Sequence, residues 1–363
     1  DAKGDLLFYS NGETVYNKNH EIMENGDSLT LYELGSYPIQ HQYHKIIPCP
    51  WSKGKYWILR INSIVAKDTI YYAEVDMNAN NGLGKVLSKK NFLLINESFD
   101  INYFNYIPIL HHNKKDIWLV ISHTQGFMVY LISNGKISEK PVSTYYLPKK
   151  KSGFGTNLSS NNKGDMIFCD KADLSIVYLL KFDYSTGTIT GHIELNNTIS
   201  NTISEPLKSD VCFSINDKTL YRTYALVPTF RTQLKCNNLI KMDSAFIGKS
   251  EKIYPAEFKE AGMLLANNNK IYIQGADRTS LYCIDNPNEG LPASLRKCNL
   301  DFGKDTFRVG FPFFFHAYYQ KYIDYDKPVC EGGELRLHLS DYLTDAEKKI
   351  MTNVLWTGPL GFT

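Results

Sequence analysis

Two histidines at i, i+3 spacing, His41 and His44, have the separation that puts both imidazoles on one face of a helix, where they could share a metal ion. Ile46-Ile47-Pro48 follows at once, and proline pushes the residue before it toward extended backbone. The segment therefore reads as a strand, and metal ligation is not assigned. His111-His112 precedes Asn113-Lys114-Lys115 in a polar loop, where adjacent side chains are expected to diverge into solvent. Asp76-Met77-Asn78-Ala79-Asn80-Asn81-Gly82 alternates acid and amide oxygens as a calcium loop does. An EF-type loop needs Gly at its sixth position and Glu at its twelfth, and those positions hold Asn81 and Leu87. A hairpin turn is the better reading.

The sequence contains no Gly-x-Ser-x-Gly elbow, His-Glu-x-x-His or phosphate-cradling glycine loop. The acid pairs Asp173 with Asp183 and Asp324 with Asp326 are not brought to one cleft by spacing alone. No catalytic, cofactor-binding or metal residue is assigned, and no cofactor is expected. The seven cysteines, at 49, 169, 212, 236, 283, 298 and 330, show no zinc-type spacing, and their odd number leaves at least one without an internal disulfide partner. Cys169 lies inside an apolar run and reads as a small buried hydrophobe.

Net charge of +2 argues against nucleic acid as a partner, and Lys149-Lys150-Lys151 reads as a solvated loop. No apolar run approaches the roughly 20 residues of a membrane span.

The elements that would carry any site are short and recurrent. From Gly164 to Leu195 three runs rich in β-branched and aromatic residues are separated by Asp, Ser and Gly, which favour turns. This is an antiparallel meander, and one meander alone leaves an apolar face bare, so it must stack on copies of itself. The copies are Leu6-Leu7-Phe8-Tyr9-Ser10-Asn11-Gly12, Tyr56-Trp57-Ile58-Leu59-Arg60, Ile117-Trp118-Leu119-Val120-Ile121, Met166-Ile167-Phe168-Cys169, Thr219-Leu220-Tyr221-Arg222 and Lys270-Ile271-Tyr272-Ile273. They recur at intervals of roughly 50 residues, within the period of propeller blades. Second strands follow most of them, as in Ile70 to Val75, Phe127 to Ile132 and Ser280 to Ile284. The 25 Tyr, 19 Phe and 4 Trp are enough to fill the wedges between twisted sheets and still leave rings at the surface for a sugar or a protein partner.

Several of these segments resemble secreted Bacteroidota surface proteins of the type IX secretion "type B sorting", or gliding-motility-associated, group. The resemblance is carried by Ile46-Ile47-Pro48-Cys49-Pro50 before Tyr56-Trp57-Ile58, by Asp76-Met77 with Gly82-Leu83-Gly84-Lys85-Val86, and by Asp116-Ile117-Trp118-Leu119-Val120 with His123 and Phe127. Later come Asn268 to Ile273, Ile284-Asp285-Asn286-Pro287-Asn288 and Gly310-Phe311-Pro312-Phe313-Phe314. It implies an all-β chain: a β-propeller of six or seven blades over residues 1–325, its first strand or strands missing, then the start of an Ig-like or PKD-like module over 326–363. Pro328 to Leu339 alternates as a strand, Val354-Leu355-Trp356-Thr357-Gly358-Pro359 looks like the Trp strand of such a module, and Thr344-Asp345-Ala346-Glu347 fits a capping box between them. Such a module needs roughly 100 residues, so the sequence reads as part of a longer polypeptide.

By the same resemblance the expected role is non-enzymatic: an exported adhesin or scaffold at the cell surface that binds glycan or protein and passes through the type IX secretion apparatus. The alternatives are a secreted propeller enzyme acting on polysaccharide and a structural subunit of a surface secretion or motility machine. Four Asp-Ser/Thr-apolar triplets, centred on Ser28, Thr69, Ser244 and Thr306, resemble the O-glycosylation acceptor of exported Bacteroidota proteins. Ordinary turn chemistry accounts equally for Asp followed by Ser or Thr.

Overall fold

A computed structural model describes residues 5–29, 44–62, 68–96, 105–123, 125–147, 156–171, 176–196, 211–226, 231–238, 251–258, 262–266, 268–274, 280–289, 295–298, 323–325 and 337–339. The chain divides into two compact units, Asp1–Tyr318 and Tyr319–Thr363.

The first unit opens with a hairpin, β1 (Phe8–Ser10) and β2 (Val15–Asn17). Its turn is the expected Asn-Gly: Asn11 Oδ1 accepts the N–H groups of Glu13 and Thr14, and Gly12 takes a φ of 93°. A meander follows, β3 (His44–Pro48), β4 (Lys55–Asn62), β5 (Asp68–Asp76) and β6 (Lys85–Asn96), paired antiparallel in chain order. The next has β7 (Asn105–Leu110), β8 (Ile117–His123) and β9 (Gly126–Ser133), with β10 (Lys136–Ile137) and β11 (Ser143–Tyr146) both on the outer edge of β9. It is the same four-strand plan with the outermost strand broken in two.

The third meander is β12 (Thr156–Ser160), β13 (Met166–Lys171), β14 (Ile176–Asp183) and β15 (Thr188–Asn196). The fourth is β16 (Val211–Phe213), β17 (Thr219–Leu226), β18 (Arg231–Asn238) and β19 (Glu251–Phe258). The fifth is β20 (Met263–Leu265), β21 (Ile271–Gln274), β22 (Leu281–Ile284) and β23 (Leu295–Lys297). The runs read from the sequence at 166–169, 219–222 and 270–273 fall on β13, β17 and β21, the second strand of each sheet.

First strands of successive sheets lie side by side, β7 with β12, β12 with β16 and β16 with β20; outer strands also meet, β6 with β10 and β11 with β15. Sheets that touch at both inner and outer strands are arranged as blades, and the unit is propeller-like. The described residues form five such blades and the leading hairpin.

A repeated peg joins them. The first hairpin of each blade is closed by a backbone bond: Cys49 N to Lys55 O, His111 N to Asp116 O, Asn161 N to Met166 O, Ser214 N to Thr219 O and Ala266 N to Lys270 O. Two residues beyond each acceptor stands an aromatic: Trp57, Trp118, Phe168, Tyr221 and Tyr272. Trp57 packs with Tyr106, Ile117 and Leu119 of the second blade, Trp118 with Leu158, Tyr178 and Leu180 of the third, Phe168 with Val211, Phe213 and Leu220 of the fourth, and Tyr221 with Met263, Leu265 and Ile271 of the fifth. Burying one such ring stabilises the joint by about 2–3 kcal/mol.

In the second unit β24 (Ile323–Tyr325) pairs antiparallel with β25 (Leu337–Leu339). The strand expected at 328–339 therefore has its last residues in β25. The Trp356 strand, the capping box at Thr344 and the expected closing strand at Phe313-Phe314-Phe315 lie outside the described residues.

Candidate functional site

Cross-strand register decides which side chains share a face. In the first blade His44 stands opposite Arg60, Arg60 opposite Tyr71, and Tyr71 opposite Phe92. The four form one row across β3, β4, β5 and β6. Ile58 and Ala73, on the same alternation as Arg60 and Tyr71, pack on Phe8, Val15 and Met23, so the row looks toward the leading hairpin. It runs from an outer aromatic, Phe92, 66% exposed, to Tyr71 and then to Arg60, only 8% exposed. A β-bulge between Ile70 and Tyr71 shifts the β5–β6 register and puts Phe92, rather than Leu93, opposite Tyr71.

The Arg60 guanidinium carbon lies 5.6 Å from the centre of the Tyr71 ring, a cation–π arrangement. Nη1 is buried and has no hydrogen-bond partner among the described residues. Burial pulls the Arg60 pKa below its ordinary value, and Tyr71, Tyr106 and the exposed Glu13 act electrostatically the other way. On the opposite face of the same blade, Lys45 places its ammonium 5.6 Å from the centre of the Tyr106 ring, which belongs to the second blade. Tyr106 is fully buried, and burial holds its phenol well above the usual tyrosine range. Two cations and two phenols thus converge around one end of β3 and β4. Such a set can hold an anion or the oxygens of a polyol.

The histidines of the sequence analysis separate. His44 opens β3 and is buried in a strand, so the helix that would pair it with His41 is not formed at that residue, and His41 lies outside the described residues. His111 and His112 do not diverge as expected. Their ring centres are 4.5 Å apart, and His111 also lies 4.9 Å from Trp118. The cause is the closed turn: His111 Nδ1 accepts the Asn113 N–H, and the His111 backbone bonds Asp116, which folds the ring onto the peg. Burial and the His112 charge lower the His111 pKa.

The Asp76 loop is a hairpin turn between β5 and β6 holding a short 3-10 helix, Asn80–Gly82. Asp183 closes the β14–β15 turn, Asp173 and Asp326 lie outside the described residues, and Asp324 is in β24 of the second unit. Among the described residues, no group of three or more His, Cys, Asp or Glu is arranged to hold a metal ion, and no helix is long and apolar enough to cross a membrane. Cys49, Cys169, Cys212, Cys283 and Cys298 are buried free thiols. Ser28 is exposed, its hydroxyl donating to Asp27 at 3.3 Å, and Thr69 is part of β5; Ser244 and Thr306 lie outside the described residues.

One polar cluster had no signal in the sequence. Asp217, in the first turn of the fourth blade, accepts hydrogen bonds from Asn162 N (2.8 Å), Asn162 Nδ2 (2.7 Å), Lys163 N (2.9 Å) and Asn161 Nδ2 (3.0 Å), all in the first turn of the third. Asn161 Nδ2 also donates to Asp165 at 2.7 Å, which brings the two carboxylates together. Burial pushes the Asp217 carboxyl up to about 6, against the pull of those N–H donors. With both oxygens committed to the neighbouring blade, Asp217 is a latch between turns. Its only forerunner in the sequence is the polar Asn161-Asn162-Lys163-Gly164 and Asn216-Asp217-Lys218 pair of turns, 55 residues apart.

No protein-family profile and no curated protein matches the chain. Among solved structures, it is similar to a protein from Lactobacillus plantarum (12% identity, 81% of this chain and 94% of that one, TM-score 0.43). It is also similar to an exo-β-1,3-galactanase from Phanerochaete chrysosporium (8% identity, 81% and 68%, TM-score 0.42) and to an endo-arabinase from Bacteroides thetaiotaomicron (10% identity, 73% and 96%, TM-score 0.39). Likeness at this level carries no inference about activity.

Proposed function

We propose that this chain is the propeller of an exported cell-surface protein, a non-enzymatic module that binds glycan along the first blade. The observation that supports it is the row Phe92, Tyr71, Arg60: an exposed ring able to stack on a sugar face, in register with a guanidinium at its inner end. A glycan-array screen of the full chain tests the reading. Selective retention of a carbohydrate class, weakened in Phe92→Ala, is the expected result; no retained carbohydrate overturns it.

Export through the type IX apparatus and O-glycosylation at Ser28, Thr69, Ser244 and Thr306 belong to the same proposal. They rest on the resemblance of the sequence motifs. Intact-mass measurement of the protein from its native cell is expected to show hexose-containing additions, and an unmodified mass removes the modification. Surface labelling of cells with and without a working type IX apparatus tests the route.

A second reading, a propeller enzyme acting on polysaccharide, draws support from one feature: Asp165 and Asp217 are near neighbours, with the Asp217 carboxyl pushed up to about 6. Paired carboxyls with separated pKa values are the arrangement of acid–base glycoside hydrolysis. Against it, the Asp217 oxygens already accept four N–H donors. Reducing-end release from bound polysaccharide, abolished in Asp165→Asn, would establish the enzyme and remove the binding-only reading.

A further inference from the structure

A buried guanidinium cannot relieve its charge by losing a proton, because arginine stays protonated throughout the range in which proteins fold. It must find acceptors, and an unpaired buried charge is strongly unfavourable. Arg60 finds only part of what it needs. The Tyr71 ring sits 5.6 Å from its guanidinium carbon, while Nη1 remains without a hydrogen-bond partner among the described residues. Glu13 acts on Arg60 at a distance and does not bond Nη1. The nearby positive charge of Lys45, over Tyr106, makes this end of the blade favourable for an anion rather than for a neutral group.

The register supplies the rest of the ligand. Phe92, 66% exposed, lies two strands outward from Arg60 in the same row, with Tyr71 between them. Two strand spacings are about 10 Å. That span exceeds one sugar ring, so a ring stacked on Phe92 and an acid group at Arg60 belong to an oligomer. A free phosphate or sulfate would use the cations and have no need of the aromatic. We propose that Arg60 is the receptor for the carboxylate of a uronate residue, and that the acidic oligosaccharide carrying it lies along the row from Phe92 to Arg60. This rests on the glycan-binding reading and names its ligand class.

The test is calorimetric titration of the full chain with trigalacturonate, with its fully methyl-esterified form, which keeps the rings and removes the charges, and with sodium sulfate. The acid is expected to bind at least tenfold more tightly than the ester. Arg60→Met should bring the acid down to the level of the ester, and Phe92→Ala should weaken both by similar factors. Arg60→Lys keeps the charge without the planar fork and should fall between wild type and Arg60→Met. Thermal melting of each variant confirms that it is folded; should Arg60→Met not fold, Arg60→Lys and the acid-to-ester ratio of the wild type still decide.

Equal binding of acid and ester, or unchanged acid affinity in Arg60→Met, overturns the assignment of Arg60 and leaves the glycan reading standing. Binding of a neutral glycan on the array but of neither galacturonide does the same. If no carbohydrate binds at all, the assignment and the glycan reading fall together. Sulfate binding that disappears in Arg60→Met would then reassign the site to a free oxoanion.

Discussion

Gly187, in the β14–β15 turn, lies against the indole of Trp118, one blade earlier: a methyl group built on its Cα would stand 2.6 Å from the ring atom Cζ3. Its φ of +72° adds a second reason for glycine. The same relation holds one blade back, where a methyl on Gly135 would reach 3.3 Å from Trp51 and 3.7 Å from Trp57. Each peg of these two joints lodges beneath the outer turn of the following blade. Polar bonds fix the fit, from Trp118 Nε1 to Tyr184 O at 2.8 Å and, in the fourth joint, from Tyr221 Oη to Pro287 O at 2.9 Å.

Gly187→Ala should therefore destabilise the unit by about 2 kcal/mol or more, combining a left-handed backbone with overpacking. Gly82→Ala is the control. Its φ is +81°, yet nothing lies within 4 Å of the added carbon, so the cost is the backbone term alone, about 1–2 kcal/mol. Denaturant midpoints of the two variants separate steric contact from conformation; equal losses would refute the peg.

Trp118→Phe keeps most of the ring and deletes the bond to the Tyr184 carbonyl. The expected loss is about 1 kcal/mol from that bond. Trp118→Ala also empties the socket and should cost about 3–5 kcal/mol. Chemical denaturation followed by circular dichroism measures both.

Much of this joinery is legible in the chain. A turn, two further residues and an aromatic recur as Lys55-Tyr56-Trp57, Asp116-Ile117-Trp118, Met166-Ile167-Phe168, Thr219-Leu220-Tyr221 and Lys270-Ile271-Tyr272. Local hairpins pair neighbours in sequence, so alternation and turn residues suffice to place them. The inner strand of the third blade escapes that logic, because Thr156-Asn157-Leu158-Ser159-Ser160 has one apolar residue to mark it. The row at Arg60 escapes it as well. A bulge beside Tyr71 sets Phe92 opposite, and the Lys45–Tyr106 contact crosses from one blade to the next; neither leaves a mark in composition or period.

Asp217→Ala removes the acceptor for two backbone N–H groups and two amide side chains. The loss should be about 2 kcal/mol or more, since buried donors left unpaired are unfavourable. The pH dependence has a definite sign. A carboxyl at about 6 in the folded chain, above the 3.8 of a free aspartate, binds more protons folded than unfolded between those values. Its contribution is fully present below about pH 4 and is lost as pH rises through about 6. Urea denaturation at a series of pH values should show that falling slope in the wild type and a flatter one in Asp217→Ala.

Asp183 moves the other way. The Ser185 hydroxyl and N–H and the Thr186 hydroxyl bond its carboxylate and hold its pKa down to about 2. Any stability linked to it is present above pH 4 and lost as pH falls through about 2. Carbon-13 titration of the Asp183 carboxyl should give that low midpoint in the wild type and a value shifted toward 3.8 in Ser185→Ala. An unshifted midpoint in the variant would show that the turn bonds are not the cause.

The pegs all project the same way along the chain, from each blade into its successor, and every described joint presents the same kind of socket to the same kind of ring. Such a coupling is indifferent to how many units are threaded together. Duplicating or excising one whole unit of roughly 50 residues leaves each remaining junction chemically matched, whereas a cut made halfway through a unit strands a ring without its socket. Growth and shrinkage by complete blades is the change this architecture tolerates most readily.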